Sequence, residues 1–131
     1  VLVEAGITGT LGKIAQDTGM PLVLLAWLIA VCLRQATGSA TVATTAVAGL
    51  MAPLVGGFGL TPAQTSLLVL AIGSGSVFFC HVNDAGFWMI REFFGLRLGQ
   101  TVWAWSVLQT IVSVTGLVLT ALLWGPAGWM G

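Results

Sequence analysis

The sequence predicts an all-α integral membrane protein with about three transmembrane segments, two of them broken helices, and an N-terminal re-entrant or interfacial segment. Of its 131 residues, 57% are hydrophobic and only 6% are charged, whereas a soluble domain carries about 25% charged residues. Glycine contributes 18 residues, and membrane helices use glycine for close packing and at breaks in the helix. This number of charged residues is too small to cover the surface of a globular protein in water. We therefore expect the chain to lie in a lipid bilayer.

Charge and cysteine usage exclude several functions. The formal net charge is zero, so the chain lacks the excess of positive charge that nucleic-acid-binding proteins use. Cys32 and Cys80 lie far apart in apolar runs, without the spacing of a redox or zinc pair, so we interpret both as small core residues. There is no G-x-S-x-G nucleophile motif. We therefore expect no enzyme activity, no cofactor and no metal.

The segment 1–20 is only moderately apolar and contains several glycines. It carries Glu4, Lys13 and Asp17, which makes it too polar for a free span. A re-entrant hairpin end or an interfacial helix tolerates this mixture, because the polar groups then contact protein or water. The sequence leaves these two alternatives open. Since the chain has no initiator Met and no signal-peptide pattern, we expect missing sequence upstream, with 1–131 as part of a longer polytopic membrane protein.

The segment 21–56 is the first broken span. Its apolar run is interrupted by Arg34 and Gln35, and Gly38 follows before the apolar character resumes. Neither half reaches the ~20 residues that cross a bilayer. The pattern predicts one discontinuous transmembrane helix. Small residues at every fourth position after the break would let another helix approach closely.

The segment 63–90 is the second broken span. It follows the turn GGFGLTP, in which Thr61 and Pro62 are typical of a helix start. Two groups of polar or small residues interrupt it: Gly73, Ser74, Gly75 and Ser76, and then His81, Asn83 and Asp84.

The segment 101–124 is the one ordinary span, with Trp at both ends as is typical of the membrane interfaces. Arg91 and Arg97 lie in the loop before it, and the GGFGLTP turn has no charge. The positive-inside rule therefore predicts that this loop is cytoplasmic, while the GGFGLTP turn and the C-terminus lie outside.

Both broken spans contain the pattern G-S-x-[S/T]-V. In the first it comprises Gly38, Ser39 and Thr41, and the second is the Gly73–Ser76 run. Glycine allows the helix to unwind, hydroxyls supply donors and acceptors, and the following helix offers free N–H groups and a positive dipole end to an anion. A carboxylate is the expected ligand. The alternative is that these residues are packing glycines and back-bonding serines in unbroken helices.

Three ionisable residues lie within the apolar segments. Arg34 should face the protein interior, paired either with Asp84 or with a substrate carboxylate. His81 and Asp84 would share a face if their segment is helical, with Asn83 beside them. Burial favours the protonated form of a carboxyl and histidine titrates near neutral pH, so either residue could couple protons to transport. The alternative is a hydrogen-bonded polar cluster that fixes helix packing.

The stretches GSATVA, GLMAPL and GSGSVFFCHVNDAGFW together resemble the C-terminal portion of the gluconate permease family of gluconate:proton symporters. The resemblance implies secondary active transport of gluconate or a similar sugar acid with protons, in a multi-pass protein of the bacterial cytoplasmic (inner) membrane. The implied partners are the sugar acid, protons, the lipid bilayer and the remainder of the transporter chain; homo-oligomerisation stays open.

The resemblance also suggests binding residues, because related carboxylate carriers bind substrate at helix-breaking tips. It implies that the Gly38–Thr41 tip binds substrate and that the Gly73–Ser76 run, with His81, Asn83 and Asp84, forms or supports another part of the pocket. From the residues themselves we expect substrate binding by Arg34 and Asn83, and proton coupling by Asp84 or His81. The alternative function is a small membrane scaffold or anchor subunit without transport activity. An anchor needs only unbroken apolar helices, so the interrupted spans favour the transporter.

Overall fold

The computed structural model of the chain describes residues 6–127, in which every regular element is a helix and no strand occurs. The all-α prediction is therefore confirmed. The helices are α1 (Ile7–Thr18), α2 (Leu22–Thr37), α3 (Ala40–Gly57), α4 (Pro62–Gly75), α5 (Ala85–Phe94), α6 (Leu98–Thr101) and α7 (Val107–Ala127). A π-helical turn at Val102–Ser106 joins α6 to α7, and these three pieces together are called the C-terminal helix.

Two of these helices are long and apolar enough to cross a bilayer. They are α3, with mean hydropathy 1.5 over 18 residues, and the stretch Leu98–Pro126 of the C-terminal helix, with mean hydropathy 1.9 over 29 residues. The α2 helix is apolar, but its 16 residues reach only about 24 Å at ~1.5 Å per residue. The 14 residues of α4 reach about 21 Å. Both are shorter than the ~30 Å hydrocarbon core of a bilayer.

Helices α2 and α4 lie side by side and run parallel. Gly75 near the end of α4 contacts Trp27 in the middle of α2, and Arg34, two turns later in α2, contacts Asp84 beyond the end of α4. The α3 helix starts beside the end of α2, and four residues separate its end from the start of α4. It must therefore run antiparallel to both.

This hairpin differs from the single discontinuous helix that the sequence predicts for 21–56. The reversal occurs at Gly38, whose backbone is left-handed with φ 71° and ψ 6°. Glycine adopts this conformation without the steric cost that a side chain imposes. Two residues are then enough for the chain to leave α2 and enter α3.

A buried apolar cluster holds the hairpin together. It combines Leu22 and Leu25 from the start of α2 with Met51 and Leu54 from the end of α3, and Leu68 of α4 completes it. Burial of one such side chain contributes about 1.5–3 kcal/mol. The cluster therefore fixes the end of the bundle that lies opposite the Gly38 turn.

The C-terminal helix packs antiparallel on α4. A Cβ placed on Gly116 would lie 2.5 Å from Ser74 Cβ, so the two backbones approach closely at this point. On the same helix, Ser113 Oγ accepts a hydrogen bond of 3.2 Å from Trp27 Nε1 of α2. The GGFGLTP turn and the C-terminal end of the helix consequently lie at one end of the bundle, and the loop with Arg91 and Arg97 lies at the other.

The α1 helix packs on α3 through its small residues. Ala15 is buried in the apolar cluster, and Gly12 lies against Leu54. Lys13 and Asp17 are exposed. An interfacial or re-entrant position for 1–20 stays a prediction, and Glu4 lies outside the described residues.

Candidate functional site

Two helices end and two begin at one place in the bundle. The α2 helix ends at Thr37 and α4 ends at Gly75, while α3 begins at Ala40 and α5 begins at Ala85. The parallel course of α2 and α4 brings these four ends together. Helix starts present unpaired N–H groups with a partial positive charge, and helix ends present carbonyl oxygens with a partial negative charge. The place therefore offers both donors and acceptors to a ligand.

Side chains join the first chain break, at Gly38 and Ser39, directly to the second, at 76–84. Asn83 Nδ2 donates a 2.9 Å hydrogen bond to the carbonyl oxygen of Gln35. Gln35 Nε2 in turn donates a 2.7 Å hydrogen bond to the carbonyl oxygen of Phe78. Gly38 is so close to Asn83 that a Cβ would overlap the Asn83 carbonyl oxygen. The structure thus brings Gly38 and Asn83 together, two residues that the sequence predicts for one site.

The start of α3 is capped by Ser39. Ser39 Oγ accepts a 3.3 Å hydrogen bond from the N–H of Val42, which satisfies one of the free donors of the first turn. The N–H groups of Ala40 and Thr41 find no acceptor among residues 6–127. Thr41 is exposed. Two main-chain donors therefore remain available beside Gly38.

Arg34 is the buried cation near the point where the four helix ends meet. Only 3% of its surface is exposed, and its Nη2 lies 2.9 Å from Asp84 Oδ2. The same Nη2 donates to Cys80 Sγ at 2.6 Å. Its other two nitrogens, Nε and Nη1, are buried without a hydrogen-bond partner in the described part of the chain. An unsatisfied buried donor costs about 1–3 kcal/mol, and more when it is charged, so these nitrogens require a partner that residues 6–127 do not supply.

The second break lies later in the chain than the sequence predicts. The α4 helix continues through Gly73, Ser74 and Gly75, and the chain leaves the helix at Ser76. The turn that follows includes Phe79 at φ 40°, a left-handed conformation that is uncommon for a residue with a side chain.

Helix packing explains Gly75 among the small residues before this break, whereas a Cβ on Gly73 would meet nothing within 4 Å. A Cβ on Gly75 would lie 2.7 Å from the carbonyl oxygen of Trp27 and 2.9 Å from Ala30 Cβ. Ser74 Oγ donates to the carbonyl oxygen of Ala71 at 3.0 Å. Ser76 Oγ likewise donates to the carbonyl oxygen three residues before it, at 2.7 Å. These contacts favour the alternative of packing glycines and back-bonding serines, and substrate binding by Gly73–Ser76 stays a prediction.

His81 and Asp84 do not share a helix face, because residues 81–84 form a turn. The N–H of Asp84 donates to the carbonyl oxygen of His81 at 3.0 Å. The imidazole Nδ1 of His81 accepts a 3.3 Å hydrogen bond from the N–H of Asn83, and the ring stands edge-on to Phe79 at 5.8 Å. Asp84 therefore pairs with Arg34, while His81 stabilises the turn.

Sequence reasoning missed the contribution of three residues, Cys80, Ser106 and Gln35. Cys80 is buried and contacts Arg34, and Ser106 Oγ of the π-helical turn donates to the carbonyl oxygen of Cys80. In the sequence, Gln35 was interpreted only as an interruption of the apolar run. A polar amide next to a buried arginine is itself an indication of a polar site. No group of three or more His, Cys, Asp or Glu side chains that could hold a metal occurs within the described ranges.

Comparison with known proteins identifies the family. The family model described as GntP family permease matches residues 1–125. The chain belongs to this family. It is therefore part of a permease rather than an enzyme, and part of a multi-pass protein of the bacterial cytoplasmic membrane. The predicted resemblance is confirmed.

Three relatives illustrate the similarity. The high-affinity gluconate transporter of Escherichia coli K12 is 47% identical over 123 residues, which are 94% of this chain and 27% of the relative. The gluconate permease of Bacillus licheniformis is 45% identical over the same shares. The Gnt-II system L-idonate transporter of Escherichia coli K12 is 40% identical over 90% of this chain and 26% of its own length. The chain thus spans about a quarter of these relatives. No solved structure matches it.

The glycine contacts predict different tolerances at three positions. We expect Gly38→Leu and Gly75→Leu to lower the stability of the permease by about 2 kcal/mol or more, because each side chain would overlap a backbone carbonyl and Gly38 is also left-handed. Gly57→Leu is the matched control, since a Cβ there meets nothing within 4 Å. Thermal unfolding of the full-length protein in detergent measures the effect. Equal midpoints for all three variants would contradict the packing role of Gly38 and Gly75.

Proposed function

We propose that this chain forms the C-terminal part of a secondary transporter that carries gluconate or a similar sugar acid, together with protons, across the bacterial cytoplasmic membrane. The observation that carries the proposal is the buried Arg34, whose Nε and Nη1 lack partners, one turn before the Gly38 break that precedes α3. Relatives named as gluconate and L-idonate transporters support the substrate class. Nothing in the family assignment supports the alternative of a scaffold or anchor without transport activity.

The chemistry of a sugar acid fits this place. Its single carboxylate needs a cation and directional donors, which Arg34 and the N–H groups of Ala40 and Thr41 offer. Its row of hydroxyl groups needs small polar partners, for which Ser39 and Asn83 are suited. The Arg34 guanidinium recognises the negative charge of the carboxylate, and main-chain N–H groups supply the remaining hydrogen bonds to it.

We further propose that both chain breaks lie within the membrane. Helices α2 and α4 are about 24 Å and 21 Å long and both end at the site, so neither reaches across a ~30 Å hydrocarbon core. Irregular backbone is tolerated at such depth where it lines a cavity or is buried in protein. The substrate would then meet the site partway across the bilayer, where a transporter needs it.

Uptake by membrane vesicles that contain the full-length protein tests the proposal. We expect saturable uptake of labelled gluconate that other sugar acids inhibit and that neutral glucose does not, because the guanidinium recognises a carboxylate. A protonophore should abolish accumulation, while replacement of sodium should not. Vesicles with well-inserted protein and no uptake of any sugar acid would contradict transport, and sodium-dependent uptake would contradict proton coupling.

A further inference from the structure

The Arg34–Asp84 ion pair is incomplete. Asp84 Oδ2 contacts only one guanidinium nitrogen, Nη2, and leaves Nε and Nη1 of the same buried group without partners. Asp84 is 19% exposed, in contrast to 3% for Arg34. The acid is therefore the more accessible member of the pair, and the base is the more deeply buried one.

Binding of a second anion at Arg34 would leave the site with a net negative charge. One buried guanidinium balances one carboxylate, so a substrate carboxylate that binds beside Asp84 leaves one uncompensated negative charge in an apolar environment. One proton removes that charge. Asp84 shares Arg34 and is the more exposed member of the pair, so it is the group placed to take that proton.

We propose that the substrate carboxylate displaces Asp84 from Arg34, and that the released Asp84 takes up the proton that travels with the substrate; this rests on the proposed function. Before binding, Arg34 is cationic and Asp84 is anionic. After binding, Arg34 pairs with the substrate anion and Asp84 is a neutral acid. The substrate anion and one proton enter together, so the net charge of the site is unchanged.

The groups around Asp84 support this assignment. Its titratable neighbours are Arg34 from α2 and Cys80 and His81 from its own turn. Helices α3, α4 and Leu98–Pro126 carry no titratable side chain. The next acid along the chain, Glu92 of α5, forms its own exposed ion pair of 2.9 Å with Arg91. Asp84 is thus the carboxylate that shares Arg34, and Cys80 Sγ keeps Nη2 in place when Asp84 leaves.

Calorimetric titration of gluconate into the purified full-length protein tests the exchange. Titrations in buffers of different ionisation enthalpy count the protons taken up, and we expect about one per bound gluconate, with an affinity that weakens as the pH rises. Asp84→Asn removes the competing anion, so we expect it to bind gluconate about tenfold or more tightly at pH 8, without proton uptake. Glu92→Gln, at the exposed ion pair, is the control and should resemble the wild type.

The outcomes separate the two proposals. Gluconate binding to the wild type without proton uptake overturns the exchange and leaves the transporter proposal intact, and this result needs no variant. Wild-type affinity with unchanged proton uptake in Asp84→Asn likewise overturns it. Asp84→Glu retains an acid and should still take up a proton, so its loss of proton uptake in a protein that binds gluconate also counts against the exchange. If the wild type binds no sugar acid, the proposed function itself fails.

Discussion

Arg34→Ala is expected to abolish gluconate uptake by the full-length protein, and Arg34→Lys is expected to recover little. Truncating one member of a buried charge pair costs about 2–5 kcal/mol, so uptake should fall about a hundredfold or more. Lysine keeps the charge but is a point donor that cannot reproduce the planar guanidinium with its separate Nε, Nη1 and Nη2 directions. Initial rates of labelled gluconate uptake, normalised to the amount of inserted protein, measure the effect.

A double variant separates binding from folding. Arg34→Ala leaves Asp84 buried without its partner, which could reduce the amount of folded protein. In Arg34→Ala/Asp84→Ala both charges are absent, so the folded amount should recover while uptake stays lost. Arg91→Ala is the matched control, because Arg91 forms an exposed pair with Glu92. Uptake near the wild-type level in Arg34→Ala would remove Arg34 from the site.

Asp84→Asn is expected to separate two transport activities. The amide resembles the neutral acid, so the loaded carrier should still reorient and exchange labelled for unlabelled gluconate across the membrane. It cannot release a proton, so accumulation driven by a pH gradient should be lost. Counterflow and gradient-driven uptake in proteoliposomes measure the two activities on the same preparation.

Asp84→Lys is the matching variant with an obligatory charge. It places a second cation beside the buried Arg34, and both exchange and accumulation should be lost. Normal proton-driven accumulation by Asp84→Asn would show that Asp84 is structural, and His81 would then be the next residue to test. The amount of inserted protein has to be measured for each variant, since a misfolded carrier also fails to transport.

Composition predicted the fold class, but local patterns could not fix the chain direction. The scarcity of charge and the long apolar runs predicted a helical membrane protein, and the polar interruption before Gly38 marked a real break. The same pattern fits a straight discontinuous helix and a hairpin, because glycine accepts either backbone conformation. Only the apolar contacts of Leu22 and Leu25 with the end of α3 select the hairpin.

The Gly73–Ser76 run shows the opposite failure. Its glycines predicted a helix break, yet α4 continues through Gly75 because the missing side chain allows contact with the backbone of Trp27. A glycine at a break and a glycine at a helix contact have the same sequence signature. The partner that distinguishes them lies 48 residues away in the chain.

The candidate site was predicted in part. Arg34 and Asp84 were paired as one of two alternatives because a buried cation needs a counterion. The contacts of Gln35 with Phe78 and of Cys80 with Arg34 join residues 43 and 46 positions apart, and no local pattern indicates them. The unpaired Nε and Nη1 of Arg34 could not be foreseen either, since they depend on where every neighbouring acceptor lies.

The hydrogen bonds of Gln35 and Asn83 also limit how such a carrier can move. A transporter opens its site first to one side of the membrane and then to the other. If the two chain breaks separated in each cycle, these bonds and the close contact at Gly38 would be lost and remade every time. A motion that keeps them together avoids this cost. The two breaks should therefore travel as a single block together with α2, α3 and α4, with the hinges outside this block.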